Sequence, residues 1–147
     1  MPEAQAQVAL AFDFGLRRIG VASGDTVSRS AAPLSAVRVD ERGVDWLAIE
    51  RLLREFEPQL LVLGAPRNAD GSAGRLSAAA DRFAAALAER ARLPVHRTDE
   101  YASSAEAMAE LKQQRASGQR RRAVRHADVD CAAAAVILER WLQGSHR

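Results

Sequence analysis

The stretch Val8-Ala-Leu-Ala-Phe12, followed by Asp13, Phe14 and Gly15 and then by Ile19-Gly-Val-Ala22, decides how this chain is read. Two apolar runs at strand spacing, separated by a short segment holding a glycine, predict a hairpin over residues 8–13 and 18–24. Asp13 closes the first run. A carboxylate at the end of a buried strand, beside a glycine that lets the backbone bend sharply, is costly unless something cationic meets it. A metal ion or a phosphate-bound metal is the expected visitor, with Arg17 or Arg18 as the purely structural alternative.

Outward from the hairpin, a third extended run, Ala32 to Val39, completes a three-strand meander. From Val44 to Phe56 the apolar positions Trp46, Leu47, Ile49, Leu52, Leu53 and Phe56 recur at helical spacing, and Pro58 ends the pattern. Leu60 to Gly64 is wholly apolar between Pro58 and Pro66, as suits a buried parallel strand. Residues 65–74, APRNADGSAG, read as loop. An alanine-rich helix over Arg75 to Arg92, a strand over Val95 to Asp99, a helix capped by Ser103 or Ser104 and running through Met108 and Leu111, and a last helix from about Asp128 to Leu142 follow. This βββαβαβαα order predicts one domain over residues 1–147, an α/β mixed sheet flanked by helices.

Bulk composition narrows the class. With 147 residues, 48% hydrophobic and 27% charged, the chain can bury a core without disulfides, and Cys131 has no cysteine to pair with. No apolar stretch approaches the roughly 18 residues of a spanning helix. The N-terminal MPEAQAQ lacks the basic and apolar regions of a signal peptide, so the cytoplasm is the expected compartment, with no membrane partner. Net charge is only +2, but Lys112 is the only lysine. Arginine grips phosphate bidentately, and Arg115, Arg120, Arg121, Arg122 and Arg125 fall within eleven residues. Gly118 and Ser117 interrupt this run, which therefore reads as a basic loop rather than a solvated helix face, able to bring phosphates toward Asp130.

Acidic side chains fall where elements begin or end: Asp13, then Asp99 and Glu100, then Asp128 and Asp130. If those ends converge on one edge of the sheet, they form an oxygen-rich pocket suited to Mg²⁺ or Mn²⁺. Two such ions about 4 Å apart would clamp the attacking and leaving oxygens of a phosphodiester. Taken singly, Asp128 or Asp130 also reads as a helix cap, and Asp99 or Glu100 as a solvated strand end. Ala134 and Ile137 lie at +4 and +7 from Asp130 and turn its face inward, leaving Asp128 as the N-terminal cap. His126 is a candidate for proton transfer, though a surface histidine is the plainer reading. Cys131 reads as a small core residue, and Trp46 and Trp141 as core or interface.

Together these residues resemble the YqgF/RuvX family of RNase H-like nucleases. The likeness is carried by Phe12-Asp13-Phe14-Gly15, Arg18-Ile19-Gly20-Val21-Ala22, Gly64-Ala65-Pro66 with Asn68 and Asp70-Gly71, Asp99-Glu100, and Val129-Asp130-Cys131-Ala132-Ala133. The resemblance implies an RNase H-like sheet, with a three-strand antiparallel meander plus two parallel strands. It also implies a divalent-metal-dependent nuclease acting in 5′-end maturation of pre-16S ribosomal RNA, with Asp13, Glu100 and Asp130 as the catalytic and metal-binding trio and Asp99 behind them. It further assigns Arg67 and Asn68, otherwise turn residues, to the nucleic acid backbone. Where this family usually has an arginine after the Asp-Glu pair, this chain has Tyr101, so that a phosphate contact is either lost or supplied by Arg97 instead.

Three other readings stay open on the sequence. A Holliday junction resolvase-like DNA endonuclease would use the same metal site on branched or single-stranded DNA and would work as a dimer; an oligomer is compatible with this chain. Asp13-Phe14-Gly15 also resembles the first phosphate loop of actin-type and sugar-kinase ATPases, which close two domains around a nucleotide where this chain has room for one. A non-catalytic adaptor bound to ribosomes or the transcription machinery would keep only the fold.

Overall fold

Side-chain size, more than polarity, alternates along the first strand, and this builds two different faces on one sheet. The structure, a computed structural model, describes residues 6–64, 75–98 and 126–144. Strand β1 (Val8–Asp13) lies between antiparallel β2 (Arg18–Asp25) and parallel β6 (Leu60–Gly64), and β7 (Val95–Thr98) extends the sheet parallel to β6. Beyond β2 come β3 (Ala31–Pro33), β4 (Val37–Asp40) and β5 (Gly43–Val44), giving the order β5-β4-β2-β1-β6-β7 with β3 also on β2. The antiparallel meander and the two parallel strands read from the sequence are therefore present.

Leu10, Phe12 and Phe14 point to one face, where they pack with Ile19, Val21, Leu61 and Leu63 under two helices, α1 (Trp46–Phe56) and α2 (Arg75–Ala91). Phe83 of α2 anchors this side, with its ring 5.9 Å from that of Phe12, 5.3 Å from Phe14 and 5.4 Å from Trp46. Asp45 caps α1 by accepting from the Ala48 N–H, and Glu57 ends it in a left-handed conformation just before Pro58.

The opposite face is made of small side chains. Ala9, Ala11 and Asp13 on β1 stand level with Gly24, Ala22 and Gly20 on β2 and with Leu60, Val62 and Gly64 on β6. Onto this shallow surface packs the last described helix, α3 (His126–Gln143), through Ala134, Ile137, Leu138 and Leu142. The approach is so close that a methyl group on Gly20 would overlap the carbonyl oxygen of Asp130. One on Gly64 would come 2.5 Å from the Ile137 Cδ1 atom.

Several boundaries differ from the sequence reading. The run 32–39 is not one strand. Between the pairs Ala22↔Pro33 and Ile19↔Val37 the outer chain takes four steps against three on β2, a one-residue bulge placed after a proline that cannot donate to the ladder. Val44 belongs to the short strand β5, which turns back on β4, so α1 begins at Trp46. Helix α3 begins at His126, which puts Asp128 inside its first turn, where its charge complements the helix dipole, rather than before it as a cap. The loop at 65–74, Asp99 and the predicted helix through Met108 and Leu111 lie outside the described residues. Among the described residues, no helix is long and apolar enough to cross a membrane.

The two close approaches predict unequal costs. Gly20→Ala should destabilise the fold by about 1–3 kcal/mol, because rigid backbone cannot yield to the new methyl. Gly64→Ala should cost less, because the tip of Ile137 can rotate away. Urea midpoints of the two variants test this ranking, and equal midpoints would contradict it.

Candidate active site

Two carboxylates from opposite ends of the chain meet at the edge of the small-residue face. Asp13 is the last residue of β1, and its Cα partners on both neighbouring strands are glycines, Gly20 and Gly64. No side chain flanks it on either strand at that level. Asp130, in the second turn of α3, is carried to the same place because Ala134 and Ile137, on its own helical face, are buried against the sheet.

The electrostatics follow from this placement. Burial, with the Asp130 charge adding to it, pushes the Asp13 carboxyl from its ordinary 3.8 up to about 7. Among the described residues, no donor hydrogen-bonds to the Asp13 side chain. Asp130 is not left alone: the Arg18 Nε–H donates to its Oδ2 at 2.5 Å. The arginine thus serves the later acid rather than Asp13. Next to Asp130, Cys131 is a buried core residue, as read from the sequence, and burial pushes its thiol up against a lowering hydrogen bond from the Val21 backbone.

A part-buried carboxylate with no described partner, beside a second one already drawn to a cation, is a donor set of hard oxygens that fits a divalent metal ion. Asp13 and Asp130 are the described residues able to hold it. Among the described residues no third acid joins them. Glu100 and Asp99 lie outside those residues, as do Arg67, Asn68, Arg115, Arg120, Arg121, Arg122, Arg125 and the His126 side chain. Arg97, one of the two alternatives for that phosphate contact, is bonded to Asp81 of α2 at 2.8 Å. Trp141 stacks at a tilt on His96, and Trp46 lies under the Arg90 guanidinium, so both tryptophans are taken up in packing. A separate groove of about 450 Å³, lined by Arg38, Asp40, Arg42, Trp46 and Leu47 among others, includes neither carboxylate.

Arg18 is the residue that sequence reasoning placed least well. Sequence proximity offers it, with Arg17, as an alternative partner for Asp13, whereas it bonds Asp130. Its strand parity carried the signal: Arg18, Gly20 and Ala22 point to one face, the face that receives α3.

Comparison with solved structures defines the class. The fold is the RNase H-like fold of RuvC-type resolvases. It is similar to Thermus thermophilus RuvC in complex with a Holliday junction substrate (TM-score 0.53, 16% identity, covering 92% of this chain and 93% of that one). It is also similar to the yeast mitochondrial Holliday junction resolvase Ydc2 (TM-score 0.53, 16% identity, 91% and 77%). Within that class, residues 7–144 match the RuvX family, described as Holliday junction resolvase, and the chain belongs to it. Relatives named "Putative pre-16S rRNA nuclease" include one from Legionella pneumophila, 43% identical over 94% of this chain and 96% of its own length. Another, from Xylella fastidiosa, is 44% identical over 97% and 94%.

The raised Asp13 pKa has a stability consequence. The unfolded chain loses this proton near 3.8 and the folded one near 7, so the folded state is progressively penalised as pH rises between those values, and fully above the upper one. Without divalent ions, Asp13→Asn removes the penalty. Its stability relative to wild type should be unchanged below about pH 4 and should rise through about pH 7. Urea unfolding in chelator across this range is the check, and an Asn variant no more stable than wild type at alkaline pH would refute the burial argument.

Proposed function

We propose that this protein is a divalent-metal-dependent nuclease that hydrolyses phosphodiester bonds in cytoplasmic nucleic acid, with the 5′ end of pre-16S ribosomal RNA as its substrate. The observation that carries this reading is the meeting of Asp13 and Asp130 at one sheet edge, with Asp13 poorly solvated and lacking a described donor. Membership of the RuvX family and the names of the relatives support the substrate class.

Mg²⁺ or Mn²⁺ bound there would supply charge neutralisation and polarisation of the scissile phosphate. Asp13 and Asp130 would hold the ion, and Glu100 would complete the trio and orient the water. The rigid strand end fixes Asp13, and the packed helix fixes Asp130, so little reorganisation is needed on binding. Arg115, Arg120, Arg121, Arg122 and Arg125, in the segment that leads into α3, draw the phosphate backbone toward Asp130, and Arg67 and Asn68 contact it after β6.

Junction DNA is the second reading. It is favoured by the description of the family and by the fold shared with junction resolvases.

Single-stranded RNA carrying the 5′ leader of 16S RNA, single-stranded DNA and a four-way junction, each assayed with Mg²⁺ and with Mn²⁺, discriminate the two. Leader RNA should be cut, and Asp13→Asn or chelator should reduce cleavage to background while binding stays measurable. Full cleavage by Asp13→Asn at saturating metal would remove its assigned role, and paired symmetric nicks in the junction alone would assign the DNA reading. Neutralising Arg120, Arg121 and Arg122 together should weaken binding and lower its salt slope by about two to three.

A further inference from the structure

The arginine on Asp130 has a geometry that neither packing nor simple neutralisation requires. Among the described residues only its Nε edge is engaged, and its two terminal amino groups donate to nothing. The Arg18 side chain is 35% exposed and that of Asp130 28%, so the pair sits at the opening of the site rather than within the core. It grows from the first residue of β2, paired there with Arg38 of β4 and two residues before the ladder with β1 begins, which leaves the side chain to move while its root is held by the sheet. Asp13, one strand over, has no cationic partner among the described residues.

From this arrangement we propose that Arg18 stands in for the divalent ion at Asp130 and, when the ion arrives, is released to grip a phosphate of the bound nucleic acid. The proposal rests on the metal-dependent nuclease reading above. An arginine and a divalent ion cannot both sit against one small carboxylate without strong like-charge repulsion, so each weakens the other there. Arg18 has the means for the second role. Once released from Asp130, its guanidinium presents two parallel donors in one orientation, the geometry that matches a phosphate bidentately, and its tether keeps it at the lip of the pocket where the backbone must pass. The exchange also keeps Asp130 paired at every stage: by arginine before the ion binds, and by the ion afterwards. Metal and nucleic acid binding are then coupled through one side chain, the ion raising affinity for phosphate by freeing a donor as well as by its own charge.

Two measurements on wild type, Arg18→Ala and Arg18→Lys test this, after circular dichroism confirms folding. First, Mn²⁺ binding is followed by electron paramagnetic resonance without nucleic acid. Arg18→Ala should bind Mn²⁺ more tightly, about fivefold, because its competitor is gone. Arg18→Lys should fall between, and it keeps the test alive if the alanine variant folds poorly. Second, binding of a short fluorescein-labelled, phosphorothioate single-stranded RNA is followed by anisotropy in chelator and in Mn²⁺. Removing Arg18 should leave affinity in chelator nearly unchanged, since there the guanidinium is tied to Asp130, and should weaken it about tenfold with Mn²⁺ present. Equal or weaker Mn²⁺ binding by Arg18→Ala, or the same loss of RNA affinity with and without Mn²⁺, would overturn the proposal while leaving the nuclease reading intact. No Mn²⁺ binding by wild type or either variant would overturn both.

Discussion

Close packing of α3 against a sheet face built from glycine and alanine is the constraint from which the site follows. The carbonyl of Asp130 occupies the space that a Cβ on Gly20 would need, and Ile137 fills the space above Gly64. Larger residues at these positions would hold the helix away from the sheet. The helix N-terminal turns would then pass over the sheet edge at a greater distance, and Asp13 and Asp130 would be two unrelated surface acids. The small residues give up side-chain burial on this side; Leu10, Phe12, Phe14 and Phe83 supply it on the other.

That proximity has an electrostatic cost which the fold tolerates rather than removes. Asp13 is partly desolvated and faces a second negative charge, so its carboxyl ionises only near neutrality in the absence of a cation. One arginine offsets the charge of Asp130 and leaves Asp13 without a described partner. A site arranged in this way is destabilised when empty and ionised. A cation placed beside the two carboxylates would offset that cost, as binding to the folded state alone does. The placement of the two carboxylates therefore depends on packing well away from them.

Much of this was legible in the chain. Strand β1, strand β6 and the helices bounded by Pro58 and Pro94 announce themselves by period and punctuation, and Asp13 stands out as a charge closing an apolar run. The split of the third strand was hidden because a one-residue bulge leaves composition unchanged and alters only register. Strand β5 was hidden because two residues carry no periodicity, and pairing with β4 alone makes them a strand. Arg18 could be offered, with Arg17, only as an alternative partner for Asp13, because nearness in sequence says nothing of its nearness in space to Asp130.

By itself the sequence determined the alternation of small and large side chains, the positions of the acids at element ends, and the family to which the chain belongs. These are local properties, set by residue type and spacing. Which acid meets which, and which arginine lies between them, was decided only when a helix from the C-terminal part of the chain settled on the glycine-lined face of the N-terminal hairpin. Contacts of that kind depend on the depth to which two surfaces can approach, and depth is a property of the assembled layers that no single segment encodes.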